Sequence, residues 1–198
     1  MTATHIVFDI GNVLVDWQPR LAWPELSEPE AADFMQRIDF GARNLRADHG
    51  ERFADLAQEL DRAEDRDRLN QYVPRYAQTV RDAVPGSWEI VDRLIARGLT
   101  LGAITNWSVE TWPEGLKSHP RLAEIFDTLV ISGKEKLIKP DPAIYRLYCA
   151  RAQVAPQDCV FIDDKLENCE GARSIGMDAI HFTNAQDVAQ ALTERGLL

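Results

Sequence analysis

The chain has 198 residues, 45% of them hydrophobic and 27% charged, enough apolar content for a single domain to build its own core. Asp and Glu number 32 against 22 Lys and Arg, a formal net charge of -10. So acidic a chain argues against a nucleic-acid binder, which needs a basic stripe, and against an anchor on an anionic membrane surface. No stretch approaches the roughly 20 apolar residues of a membrane-spanning helix. The segment Met1 to Asp9 lacks the cationic start of a targeting segment. Cys149, Cys159 and Cys169 are odd in number, widely spaced and form no CxxC. Reduced thiols and a cytoplasmic location are therefore expected, not disulfides or zinc.

His5–Asp9 is a short apolar run of the kind a doubly buried strand uses. The interval that follows holds only helical patterns. Ser27-Glu28-Pro29-Glu30 is a capping box that opens a helix carrying Phe34 and Ile38. Phe53, Leu56, Ala57 and Leu60 recur at helical spacing, as do Leu69, Tyr72, Val73, Tyr76 and Val80, with Pro74 kinking or splitting that segment. The Glu59–Asp67 run reads as solvated helix surface. Pro85-Gly86 marks the return. A helix follows with Ile90, Val91, Leu94 and Ile95 on one stripe, Ser87 as its N-cap and Gly98 as its stop. Thr100–Ile104, Thr128–Ile131, Cys159–Ile162 and Ala179–Phe182 are further strands. Between and after them lie helices marked by Ile144, Tyr145 and Tyr148 and by Val188 and Leu192. Strand–helix repetition of this kind predicts an α/β fold, a parallel sheet between two helical layers. Residues 1–16 and 84–198 would form this core, and 17–83 an inserted helical lobe.

In open α/β sheets, chemistry sits at the carboxyl ends of the strands. The first strand delivers Asp9, followed by a Gly11-Asn12 turn. Thr100–Ile104 delivers Thr105 and Asn106. The loop after Thr128–Ile131 carries Lys139, flanked by Pro140 and Pro142. Cys159–Ile162 delivers Asp163 and Asp164. Each signal alone has an ordinary explanation: a turn aspartate, a turn opening, a surface lysine, a helix N-cap pair. The adjacent carboxylates are the least ordinary, because they repel unless a cation neutralises them. An oxygen-only set suits a hard cation such as Mg²⁺.

Taken together, in the order Asp, Thr-Asn, Lys, Asp-Asp, these pieces resemble the haloacid dehalogenase superfamily over essentially the whole chain. The specific pieces are Pro85-Gly86, Thr105-Asn106-Trp107-Ser108, Lys139-Pro140-Asp141-Pro142-Ala143-Ile144-Tyr145 and Ile162-Asp163-Asp164-Lys165-Leu166-Glu167-Asn168. The likeness is to members with a subfamily I cap, in the small sugar-phosphate phosphatase branch. It implies a three-layer Rossmann-like core with residues 17–83 as the cap. It implies hydrolysis of a small phosphorylated metabolite, with no nucleic-acid or membrane partner, by a monomer or homodimer. Asp9 would be the nucleophile, forming an aspartyl-phosphate that water hydrolyses. Asp9, Asp164 and the Gly11 carbonyl would hold Mg²⁺, with Asp163 in support. Thr105 and Asn106 would bind phosphoryl oxygens, and Lys139 would offset charge on nucleophile and substrate.

One position departs from the pattern. The superfamily's phosphatases carry a second Asp two residues after the nucleophile, as acid and base; here that residue is Gly11. A cap residue could substitute, with Asp48 and His49 in the Asp48-His49-Gly50 turn as candidates and Asp16 nearer in sequence. Arg43, Arg46, Trp17 and Trp107 are candidates for the cavity entrance, and Asn168 for the metal site or a helix cap. Two other readings stand beside this one. A 2-haloacid dehalogenase would use the same nucleophile without a metal, leaving Asp163-Asp164 without a task. A non-catalytic binding protein of the same fold would account for Gly11.

Overall fold

The computed structural model describes residues 3–198. The first strand, β1 (His5–Phe8), is followed by helices α1 (Glu28–Arg37), α2 (Phe40–Asp48), α3 (Phe53–Gln58), α4 (Ala63–Asn70) and α5 (Tyr72–Thr79). Then come α6 (Ser87–Ala96), β2 (Thr100–Thr105), α7 (Trp112–Ser118), β3 (Thr128–Ile131), α8 (Ser132–Glu135) and α9 (Pro142–Ala152). The chain closes with β4 (Cys159–Asp163), α10 (Leu166–Ser174), β5 (Asp178–His181) and α11 (Ala185–Glu194).

All five strands are parallel, in the order β3-β2-β1-β4-β5. The central β1 pairs on both sides, His5 opposite Thr100 and opposite Cys159. Its successive residues point to opposite faces, and both faces are covered, which is why it is apolar from Ile6 to Phe8. Ile6 and Phe8 pack with Ile90, Leu94, Val188 and Leu192, so α6 and α11 cover one face. Val7 packs with Ile144, Tyr148, Phe161 and Cys169, so α9 and α10 cover the other. The architecture is therefore a three-layer, Rossmann-like α/β fold. The chain runs outward from β1 to β3 and then restarts on the other side with β4, so the strand order reverses beside β1. That reversal opens a crevice at the carboxyl edge.

Between β1 and α6 the described residues form helices and turns and no further strand, apart from isolated bridges of Val15 with Gly11 and with Ala83. The segment leaving β1 and the segment returning to α6 are joined: Asp16 N–H donates to Asp82 C=O (2.9 Å) and Val84 N–H to Leu14 C=O (3.0 Å). The helices between them gather around Tyr72. Its ring stacks on Trp23 at 5.6 Å and meets Phe40 and Phe53, each at 5.0 Å. The aromatic contacts continue through Tyr76 to Trp107 of the sheet side (5.5 Å), so one apolar cluster runs through both parts.

Several local expectations are refined. The sequence places a strand to Asp9, but β1 stops at Phe8; Asp9 N–H still reaches Ile162 C=O at 2.8 Å. The break near Pro74 falls at Gln71, and Pro74 sits in the first turn of α5, where a missing N–H costs nothing. The N-cap of α6 is Gly86, at φ 78°, where a side chain would be strained; Ser87 is the first helical residue and its Oγ is buried without a partner. Ile95 sits at the exposed edge of its stripe. Asp65, read as solvated surface, is buried and takes hydrogen bonds from Arg37 at 3.1 and 2.8 Å. The three cysteines are buried and unpaired. Among the described residues, no helix is long and apolar enough to cross a membrane.

Candidate active site

The parallel ladder brings the ends of β1, β2 and β4 side by side, and with them the residues that follow each strand. Asp9 follows β1. Its Oδ1 accepts from the Ile10 backbone N–H at 2.6 Å, and Asn12, at φ 57°, bends the chain sharply away from the edge. β4 ends in Asp163 itself, fully buried, with Asp164 next and half-buried. Carboxylate oxygens of Asp9, Asp163 and Asp164 lie within 4.8 Å of one another.

Lys139 enters this cluster from the loop before α9. Asn106, just past β2, holds its backbone from both sides: Asn106 Nδ2 donates to Lys139 C=O (3.1 Å), and Lys139 N–H to Asn106 Oδ1 (2.9 Å). The side chain is then fully enclosed, with Nζ 2.9 Å from Asp9 Oδ1 and 2.6 Å from Asp163 Oδ2, over the ring of Phe161. Burial alone would lower the lysine pKa, but the charges of Asp9 and Asp163 outweigh it and raise the pKa, so the ammonium is held.

Asp163 spends its oxygens within the protein. Oδ1 accepts from Lys165 N–H (2.8 Å) and Asn168 Nδ2 (2.9 Å), and Oδ2 from Lys139. Asp164 is less committed, accepting from Asn12 Nδ2 at 3.3 Å. Asp9 is pushed up to about 7 by burial, with Asp163 and Asp164 adding to the shift and Lys139 opposing it. Asp164 is raised by burial and by Asp163. One lysine thus faces three carboxylates, a local excess of negative charge. Asp9 and Asp164 are the two whose side chains reach open space. They form an oxygen-only pair of the kind hard cations take.

That space is a cavity of about 250 Å³. Asp9, Gly11, Asn106, Lys139 and Asp164 form its sheet side, and Trp17, Asn44, Asp48 and Tyr76 its helical side. Thr105 ends β2, is buried and stands beside the wall, which Asn106 forms. Trp17 and Trp107 line the cavity, and so does Asn168, which donates to Asp163. Arg43 and Arg46 do not. Arg46 is held by Glu51 and Glu59 at 2.6 and 2.7 Å, and Arg43 reaches back to Ile38 C=O. His49 is drawn away to Lys136 C=O at 2.7 Å, and Asp16 pairs with Gln18 in a separate groove.

Sequence reasoning did not single out Asn44, Tyr76 or Lys165 as wall residues. One signal was available: Asn44 and Asp48 are four apart, the spacing that puts two polar side chains on one helical face. Asn44 Nδ2 donates to Asp48 Oδ2 at 2.9 Å.

Comparison with known proteins agrees with this geometry. Residues 3–176 match the haloacid dehalogenase-like hydrolase family. The phosphorylated carbohydrates phosphatase of Thermotoga maritima is 24% identical over 96% of this chain and 90% of its own length. Flavin mononucleotide hydrolase 1 of Arabidopsis thaliana is 30% identical over 57% of this chain, and the chain spans less than half of that relative, 45% of it. A magnesium complex of a HAD family enzyme from Bacteroides thetaiotaomicron superposes with a TM-score of 0.73 at 16% identity, covering 97% of this chain and 99% of that one, a likeness of fold. With a family match that runs from before β1 to the end of α10, this chain belongs to the haloacid dehalogenase-like hydrolases.

Proposed function

We propose that the protein is a Mg²⁺-dependent phosphomonoesterase acting on a small phosphorylated metabolite. The observation that carries this reading is the buried Lys139 bridging Asp9 and Asp163 at the floor of the cavity. Asp9 is the nucleophile: its carboxylate attacks phosphorus and forms an aspartyl phosphate, which water then hydrolyses. Lys139 keeps its proton and offsets the charge shared between Asp9 and the transferring phosphoryl group. Asn106 fixes the lysine and, with the adjacent Thr105, receives the phosphoryl oxygens. Asp163 orients Lys139 from beneath and is too engaged to do more.

The donor set fits Mg²⁺. Asp9 and Asp164 would hold it, with the carbonyl of Gly11, and the excess of carboxylate over lysine is the charge it would balance. When bound, the ion supplies electrostatic shielding that lets a phosphate dianion approach an acidic site. Residues 17–83 act as a cap that selects the substrate through Trp17, Asn44 and Tyr76. A cavity of about 250 Å³ suits a small ester, and the name of the Thermotoga relative points to phosphorylated carbohydrates.

The test is hydrolysis of p-nitrophenyl phosphate with Mg²⁺ and with EDTA. Activity is expected with the metal and not with the chelator. Asp9→Asn should lower kcat by at least about 10³-fold while the circular dichroism spectrum is kept. Full activity in that variant would sink the assignment. A screen of hexose phosphates and nucleotides then names the substrate.

A further inference from the structure

A phosphatase that works through an aspartyl phosphate moves two protons. One goes to the leaving oxygen in the first half-reaction, and one comes from water in the second. On the sheet side, Gly11 has no side chain to carry either. Asp163 is bonded on both oxygens, and Lys139 is locked between carboxylates. The proton carrier must come from elsewhere in the wall.

Among the described residues, three carboxyls line the cavity: Asp9, Asp164 and Asp48. Asp9 and Asp164 belong to the sheet edge. Asp48 arrives from the opposite side, as the last residue of α2. We propose that Asp48 is the acid and base of this hydrolase, giving a proton to the leaving oxygen and taking one back from the attacking water. The proposal rests on the phosphatase reading above.

Three observations place Asp48 for the task. First, it is held. Asn44, one helical turn earlier, donates to Oδ2 at 2.9 Å. Its backbone carbonyl accepts from Ser132 Oγ at 2.6 Å, and that Oγ also accepts from Trp107 N–H at 2.9 Å, which ties the end of α2 to the loop after β2. Gly50 packs behind it, where a Cβ would stand 3.3 Å from Gly133 C=O. Second, it is almost wholly buried, at 7% exposure, and sits at a helix C-terminus, where the carbonyl dipoles disfavour an anion. Burial pushes it up to about 7; the Ser108 backbone amide, Lys165 and Lys139 lower it, and Asp9 raises it. Burial, with the same carboxyl adding to it, raises the phenols of Tyr72 and Tyr76 well out of the working range, so neither competes for its proton. A carboxyl that titrates near neutrality is matched to both roles. Third, the other candidates point elsewhere: His49 to Lys136 C=O, Asp16 to Gln18.

The steps balance. As an Asp9 oxygen bonds to phosphorus, the bond from phosphorus to the leaving oxygen breaks, and that oxygen takes the Asp48 proton to leave as an alcohol. The Asp48 carboxylate then takes a proton from water. The water oxygen bonds to phosphorus, the bond from phosphorus to Asp9 breaks, and inorganic phosphate leaves. Asp9 and Asp48 end as they began.

Asp48→Asn keeps the shape and removes the proton. With glycerol 2-phosphate, whose alkoxide needs protonation, kcat/KM should fall by about 10²–10⁴-fold. With p-nitrophenyl phosphate, whose leaving group needs no proton, the first half-reaction should slow by less than about tenfold. Its second half lacks a base, so the variant should show a rapid burst of nitrophenol equal to the enzyme present. Equal losses on both substrates, or none on either, would overturn the proposal. If the variant does not fold, the wild type still decides. With an acid in place, its kcat/KM for the aryl and alkyl esters should lie within about 10²-fold; a wider gap overturns the proposal. A wild type that cleaves neither ester fails the phosphatase reading itself, which is a separate result.

Discussion

The two walls of the cavity are held by different physics. On the sheet side, polar groups are placed by the parallel ladder, or pinned to it as Lys139 is by Asn106, and compensated by charge: Lys139 stands 2.9 Å from Asp9 and 2.6 Å from Asp163. On the helical side, position comes from packing: Trp23, Phe40 and Phe53 surround Tyr72, and no ion pair reaches the cavity wall among the described residues. The sheet side fails when a charge is left alone. The helical side fails by degrees, as contacts are lost. On the reading proposed above, the first wall carries the nucleophile and its counter-charge, and the second carries Asp48 on a packed scaffold.

The sharpest way to break this contrast is Lys139→Met. It leaves two buried carboxylates without their counter-charge, and should cost about 3–5 kcal/mol. The urea midpoint at neutral pH reads the loss. An unchanged midpoint would mean that the cluster is not held by charge at all.

Asp48→Asn asks whether the helical wall carries any charge cost. Asp48 has a folded pKa near 7, above its unfolded value. It therefore supports stability fully at low pH, and that support is lost as pH rises through 7. Replacing it removes the loss. Relative to wild type, the variant should gain on the order of 2 kcal/mol between pH 4 and pH 8 in EDTA. Asp164 is common to both proteins, and the repulsion between Asp9 and Asp48 is part of the cost that the variant relieves. Parallel pH curves would show that Asp48 ionises as freely as a surface residue.

Phe53→Leu tests the packed wall. Phe53 is buried against Tyr72 at 5.0 Å, and the change should cost about 1–2 kcal/mol. The apolar cluster is continuous from Trp23 to the sheet, so a calorimetric scan should keep a single transition. Two transitions would show that the walls fold apart. KM should rise more than kcat falls, because the nucleophile and lysine are untouched.

The same contrast explains what could be read from sequence. Asp9, Asn106, Lys139 and the Asp163-Asp164 pair were legible because strand ends are marked by apolar runs, and parallel strands gather their ends at one edge. The strand limits moved by one residue at β1, β2 and β4, since Asp9 still joins the ladder and Thr105 and Asp163 extend it, and the last strand, expected over Ala179–Phe182, runs one residue earlier, over Asp178–His181. The helical wall was not legible in that way. Helical spacing tells which face is apolar, not which turn meets the sheet. Arg43 and Arg46 looked suited to an anion but are consumed by Ile38 C=O and by Glu51 and Glu59. Asp65 lay in an acidic run yet found Arg37 from a different helix. Arg43 with Ile38 and Arg46 with Glu51 are local pairings, whereas Arg46 with Glu59 and Arg37 with Asp65 join residues 13 and 28 apart and follow from packing.

The smallest expected effect bears on the position where the walls exchange roles. Gly11 could be a glycine because the turn demands one, or because nothing there needs a side chain. A Cβ built at Gly11 meets nothing within 4 Å, and its backbone is not left-handed. At Gly102, by contrast, a Cβ would come within 2.1 Å of Tyr148 Oη, so that glycine is required by packing of β2 against α9. Gly11→Ala should therefore change stability by less than about 0.5 kcal/mol, measured as a thermal midpoint in EDTA. A loss of several degrees would mean that the backbone needs glycine. A neutral result means that the fold itself does not require glycine beside Asp9. Asp48 on α2 lines that same space from the opposite wall.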